Sequence, residues 1–108
     1  MLIALVVLWP VGTGAQSRAD FSGTWKVAAD DIVAGLDARL RLSFIARKVH
    51  LVLGGDGVVG VFLDGQLKRT VRVHGSRLYT LLRMPSLRTG ELELRFSPGV
   101  RGYAFTFG

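Results

Sequence analysis

The chain contains no cysteine. Disulfides, thiolate nucleophiles, cysteine-ligated zinc and the Cys-x-x-Cys redox pair are therefore excluded by chemistry, since each needs a sulfur atom that is not there. Histidine is nearly as scarce, with two residues, and acidic side chains number eight against fourteen basic ones. The longest unbroken apolar run, Leu2 to Trp9, is too short to span a bilayer, which needs about 20 apolar residues. No tract is low in complexity, no stretch reads as an interdomain linker and no internal repeat is present. With 108 residues, 49 % hydrophobic and 20 % charged, what remains is an ordinary globular mixture with one core.

The apolar run is followed by Pro10, small residues through Ala15 and a first charge only at Arg18, the order of parts in a secretory signal peptide. Its amino-terminal side carries no Lys or Arg, so only the α-amino group supplies positive charge there. The sequence thus divides into a signal peptide over residues 1–17, cleaved between Gly14 and Ser17, and a domain over residues 18–108. Export to the periplasm or beyond follows from that division. The net charge of +6 belongs wholly to the domain, because the first 17 residues hold no charged side chain. Such a balance favours acidic partners, among them acidic polysaccharides, nucleic acid and anionic lipid headgroups.

Apolar residues recur at period two over most of the domain, as in strands with one buried face. Leu40, Leu42 and Phe44 alternate with Arg39, Arg41 and Ser43; Leu92, Leu94 and Phe96 alternate with Glu91, Glu93 and Arg95. Further strands are expected over residues 21–27, 49–53, 58–63, 67–73, 78–82 and 103–107. Between them lie turn signals. Asp64-Gly65 suits a two-residue hairpin, and Pro98-Gly99 suits the centre of a type II turn. About eight short strands joined by tight turns predict an all-β domain, a compact antiparallel β-sandwich. Only residues 28–38 offer a helix, and Gly35 interrupts it, so a loop or single turn is expected there.

The chemistry-bearing residues are few. His50 lies in an alternating strand and His74 at a turn, ordinary positions for an unligated histidine. Asp30, Asp31 and Asp37 are loop aspartates that cap turns more readily than they supply the six to eight oxygens of a calcium site. Glu91 and Glu93 share one outer strand face and keep it wet, so they are not read as a catalytic pair. No Gly-x-Ser-x-Gly, His-Glu-x-x-His or phosphate-cradling loop occurs. The sequence therefore predicts no enzyme, no metal and no cofactor. As binding residues, Tyr79 and Trp25 offer flat faces on which a glycan could stack, although Trp25 and Tyr103 lie among apolar neighbours and also read as core. Arg39, Arg41 and Arg72, with Arg69, Arg77 and Arg83, could line an anion-binding face. Specific nucleic-acid binding is not expected.

Several segments carry a family resemblance: Phe44-Ile45-Ala46-Arg47-Lys48-Val49-His50-Leu51-Val52-Leu53-Gly54, Val61-Phe62-Leu63-Asp64-Gly65, Arg77-Leu78-Tyr79, and Ser97-Pro98-Gly99-Val100-Arg101-Gly102-Tyr103-Ala104-Phe105-Thr106-Phe107-Gly108. With Gly23-Thr24-Trp25-Lys26-Val27, they make the chain resemble the C-terminal domain of DipZ-type, thioredoxin-like cytochrome c biogenesis proteins. The resemblance implies a β-sandwich similar to carbohydrate-binding modules, the non-redox appendage of an oxidoreductase. It departs at the front, where family members place a thioredoxin domain and a connecting β segment and this chain has its apolar leader. The missing opening strand is supplied by that leader or by a partner, or else the chain is a piece of a longer protein. A shorter likeness, Asp20-Phe21-Ser22-Gly23-Thr24-Trp25-Lys26, looks like the opening strand of lipocalins, but about 90 residues are few for an eight- to ten-stranded ligand barrel.

The functional expectation is a non-catalytic, exported accessory module whose ligand is a glycan or an acidic polymer. Its alternative is an assembly domain, or a fragment of a thiol-disulfide oxidoreductase, that joins a separate thioredoxin-like chain or a second copy by a sheet edge.

Overall fold

The structure, a computed structural model, describes residues 4–7, 19–27 and 31–107. Nine strands account for nearly all of them: β1 (Ala4–Val7), β2 (Ala19–Ser22), β3 (Trp25–Val27), β4 (Ile32–Ala34), β5 (Arg39–Gly54), β6 (Asp56–Leu63), β7 (Gln66–His74), β8 (Arg77–Phe96) and β9 (Arg101–Phe107). Every strand pair is antiparallel.

Two long strands organise the fold. β5 buries Leu40, Leu42, Phe44 and Ala46, then changes phase and buries Val49, Leu51 and Leu53. The change falls at register shifts between Ala46 and Lys48 and between Val49 and His50. An inserted residue bends a strand and swaps the face it turns inward, so each shift re-aims the chain. β8 does the same between its two halves. Residues 39–42 of β5 pair with β2 and residues 39–46 with residues 88–95 of β8, whereas residues 49–54 pair with β9 and residues 48–53 with residues 77–83 of β8. One hydrogen-bonded path therefore folds into two layers. The first runs β2, β5, β8, β6, β7; the second runs β8, β5, β9, with β1 and then β4 and β3 beyond β9. A single core fills the space between them, from Ile32 and Leu40 through Val61 and Leu81 to Phe105.

The expected β-sandwich is present, with two differences in detail. Four of the expected short strands are two long ones, because a phase slip in the apolar pattern marks a bulge as readily as it marks a turn. The loop expected over residues 28–38 holds strand β4, where Ile32 and Ala34 are buried and pair with Val27 and Trp25. Two turns match expectation. Asp64 and Gly65 have φ of 50° and 85°, both positive as a type I′ hairpin requires, and they join Leu63 to Gln66. Gly99 has φ of 95°, the third position of the type II turn that Pro98 opens.

The leader contributes as well. Ala4–Val7 pairs with residues 104–107 of β9, beside the point where β4 pairs with Arg101 and Gly102. The expected cleavage positions, Gly14 to Ser17, lie outside the described residues.

Candidate functional site

β5 and β8 both cross from one layer to the other at the same place. Ala46 pairs with Arg88 and Lys48 with Arg83, so residues 84–87 stand against Arg47 alone. The tip of the β6–β7 hairpin is tied to this corner. Asp64 exchanges backbone and side-chain bonds with β8: its N–H donates to the Glu91 carbonyl at 2.9 Å, its Oδ1 accepts from the Glu91 N–H at 2.9 Å, and its Oδ2 pairs with the Arg88 guanidinium. The Glu91 N–H, more than the Arg88 and Lys68 charges, holds the Asp64 carboxyl below its ordinary value of 3.8.

Hairpin and corner together enclose a groove of about 400 Å³. Its apolar floor is Leu63, Leu81, Leu82 and Met84; its rim is Lys68, Arg69, Arg83 and Arg88. Among the described residues, Lys48, Arg69 and Arg83 form no ion pair, and Lys68 reaches only the Gln66 amide, at 3.5 Å. Asp64 is the carboxylate that answers this rim, and Arg88 takes it. The result is a cationic trough with an apolar base, suited to an anion with some apolar body.

The positive field is felt by a neighbour. His50 bonds the Thr80 hydroxyl at 3.0 Å, and burial, then Arg83, then Lys48, push its pKa below the ordinary 6.5.

The sequence-expected binding residues do not form one site. Arg41 is held by Glu93 at 3.0 Å and lies 3.9 Å from Glu91, and Arg95 takes the other Glu93 oxygen at 2.7 Å. Arg95 also covers the ring of Phe62, with its guanidinium carbon 4.3 Å from the ring centre. That face is neutralised. Arg39 is exposed, opposite Arg95, and Arg72 lies 3.8 Å from Asp56 on the far part of β7. Arg69 and Arg83 are the two expected arginines that the fold does bring together.

Tyr79 is not a stacking platform. Its ring is 7 % exposed, Arg77 sits over one face, and its hydroxyl accepts from the His74 N–H at 2.8 Å while facing the carbonyls of His74 and Gly75 at 2.9 Å. The tyrosine closes the β7–β8 turn, which uses both its apolar body and its polar end. Trp25 is half-buried between Phe21 and Phe96, edge-on to both at 5.4 and 5.0 Å, and its indole N–H donates to the Ser22 carbonyl at 2.8 Å. It anchors β3 to the core. Asp30 lies outside the described residues, among which no three acidic or histidine side chains gather as metal ligands. Lys68 and Arg88 were missed in the sequence. Lys68 sits at a register shift and Arg88 at the layer crossing, and neither position shows in an alternating pattern.

The fold and groove define an all-β sandwich domain with a cationic trough at the strand crossing. Residues 12–108 match the thioredoxin-like C-terminal domain family, and the chain belongs to it. Protein DipZ of Mycobacterium bovis and that of Mycobacterium tuberculosis are each 29 % identical to it over 102 residues. That stretch is 93 % of this chain but 14 % of either relative, so the chain spans a small part of their length. A family two carbohydrate esterase from Cellvibrio japonicus shares the fold, with a TM-score of 0.80 at 10 % identity over 98 % of this chain and 33 % of that one. An acetyl xylan esterase from Butyrivibrio proteoclasticus has a TM-score of 0.79 at 9 % identity, covering 99 % of this chain and 32 % of its own.

Proposed function

We propose that this domain is a non-catalytic, exported accessory module that binds an acidic partner through the trough between the β6–β7 hairpin and the layer crossing. The observation that carries the reading is the rim itself, four cations answered by one carboxylate. Cations gathered without counter-charges raise the local concentration of anions and gain by releasing their counterions. The acidic pair that a hydrolytic reaction might use, Glu91 and Glu93, is instead engaged by Arg41 and Arg95. Export is supported by the order of the leader, and its sign would be a mature chain beginning near Gln16 or Ser17, in which β9 has given up its pairing with β1.

Between the two partner classes, the acidic polymer is favoured over a neutral glycan, because Tyr79 is buried and Trp25 is packed against two rings. An assembly domain would show a bare apolar edge. Two of the outer strands, β7 and the first half of β8, carry Lys68, Arg69, Arg72, Arg77 and Arg83, and charge on an edge discourages pairing with another strand there.

The test is binding to a soluble polyanion, such as polyphosphate or dextran sulfate, across a salt series. The folded protein should bind, lose affinity steeply as salt rises, and lose most of it in the double variant Arg69→Glu/Arg83→Glu. Binding that ignores both salt and the variant would refute the trough as the site.

A further inference from the structure

β9 is paired along both sides, and the two sides differ. β5 covers one of them from Arg101 to Phe107. On the other, β4 takes Arg101 and Gly102, and β1 takes Ala104 to Phe107, with Val6 opposite Phe105 and Ala4 opposite Phe107. Phe105 is fully buried in this arrangement. Among the described residues β1 pairs with no other strand, and by Ala19 the chain has passed to β2 in the first layer. β1 therefore belongs to the second layer by its pairing and not by its neighbours in sequence.

Two outer strands guard themselves. β7 carries Lys68, Arg69 and Arg72, and the first half of β8 carries Arg77 and Arg83; charge on an edge deters a second strand. Ala104-Phe105-Thr106-Phe107 has no charge, no proline and no glycine, and its phenylalanines and threonine favour extended backbone. Uncovered, an edge of this composition is a template for another strand. The leader supplies the cover, and loss of the leader takes it away.

Resting on the reading that the leader is removed on export, we propose that the β9 edge from Ala104 to Phe107 is a strand-acceptor site, closed by Ala4–Val7 and, once these leave, filled by an extended apolar segment of another polypeptide. The occupant's chemistry is read from the strand now seated there, which is uncharged and antiparallel to β9 with four residues in register. That seated strand selects a short segment over a second whole copy. In such strand addition the main-chain hydrogen bonds supply affinity and alternate side chains supply selectivity. β5 lies between this edge and the first half of β8, so the site is separate from the trough.

The experiment uses the full chain with a protease site placed at residues 14–17, folded first and then cut. A fluorescent peptide of Ala4–Val7, bracketed by lysines for solubility, is followed by anisotropy. The cut protein should bind one peptide per chain, at least about tenfold more tightly than the uncut protein, whose tethered leader competes at a high effective concentration. Two further peptides carry N-methyl groups on alternate residues, one set for each edge of the strand. One should bind within about threefold of the parent and the other should lose at least about tenfold, since only the edge facing β9 needs its N–H groups. Where release of the leader lowers the melting temperature, added peptide should restore it. Arg69→Glu/Arg83→Glu should capture the peptide as wild type does, which keeps this result apart from the trough. Equal binding by cut and uncut chains, equal affinity of the two methylated peptides, or a cut protein that dimerises and takes no peptide would overturn the strand site. Capture by the cut protein, with Met1 still present on the chain made in cells, would refute export and leave the strand site standing.

Discussion

Lys48 of β5 and Arg83 of β8 stand directly opposite each other in the antiparallel register, two cations in one cross-strand pair with no carboxylate among the described residues bonded to either. Like charges so placed work against the sheet unless an anion comes between them. Two positions from Lys48, His50 registers the field: burial first, then Arg83 and Lys48, depress its pKa below 6.5. An anion seated on the pair cancels the second and third causes and leaves the first. The His50 pKa, followed by NMR of the imidazole protons, should therefore rise when polyphosphate is added. Binding that leaves the His50 titration unmoved would place the ligand away from the trough.

Acid should destabilise the domain in two stages. His50 has its folded-state pKa lowered, so on acidification the unfolded chain takes up that proton first, near pH 6.5, and stability begins to fall there. Glu93 is lowered from 4.5, chiefly by its bond from Arg95 and, after the opposing effect of burial, by Arg41; Asp64 is lowered from 3.8, chiefly by the Glu91 N–H. Their contributions are complete above those ordinary values and vanish as pH drops through the lower folded-state ones. The urea midpoint should decline gently below pH 6.5 and more steeply below 4.5. Glu93→Gln should flatten part of the steep stage. A variant curve parallel to wild type would show that the Arg41–Glu93–Arg95 cluster adds nothing to the fold.

Much of the sandwich was legible from alternation, since Leu40 to Phe44 and Leu92 to Phe96 each hold one phase and one face. The two layers were not. Their origin is a slip of phase within β5 and β8, and a slip looks the same whether the chain turns or only bulges. β4 was hidden for a different reason: three residues are too few to show a period, and Gly35 beside them argued for a loop. The trough was half legible. Arg69 and Arg83 were marked as cations on strands, but what unites them is the packing of the β6–β7 hairpin against β8, a contact far apart in sequence. Tyr79 shows the converse failure. Its neighbours Leu78 and Thr80 left its side undecided, and only the backbone of the turn at His74 and Gly75 shows where its hydroxyl goes.

That hydroxyl gives the next prediction. It accepts one bond from the His74 N–H and, having one proton, donates to one of the carbonyls of His74 and Gly75. Tyr79→Phe keeps the ring and strands these groups, which should lower stability by about 1–3 kcal/mol, the usual cost of a buried polar group left unpaired. Urea unfolding at neutral pH measures it. Polyphosphate affinity should be unchanged in the folded variant, because the tyrosine is not part of the trough. A variant as stable as wild type would mean that water replaces the hydroxyl and that the turn closes without it.

The closing strand should be indispensable, and its position says why. β9 lies inside the second layer, with β5 on one side and both β1 and β4 on the other. Phe105 is fully buried, opposite Leu51. Tyr103, half-buried, packs beside Gly54, where an added Cβ would come within 3.2 Å of its ring and hydroxyl; the side chain of Phe107 lies outside the described residues. Phe105→Ala removes a ring from the centre of the core and should cost about 3–5 kcal/mol. Against a total of about 5–15 for a domain of this kind, that leaves a marginal protein. Deleting residues 103–108 does more, since it also strips the backbone partners from the second half of β5 and from β1. The truncated chain should lose its cooperative unfolding transition, followed by far-UV circular dichroism during thermal melting. A transition unchanged by the deletion would show that the first layer carries the fold alone, and that the second, with the cations of β8 that complete the trough, is dispensable to it.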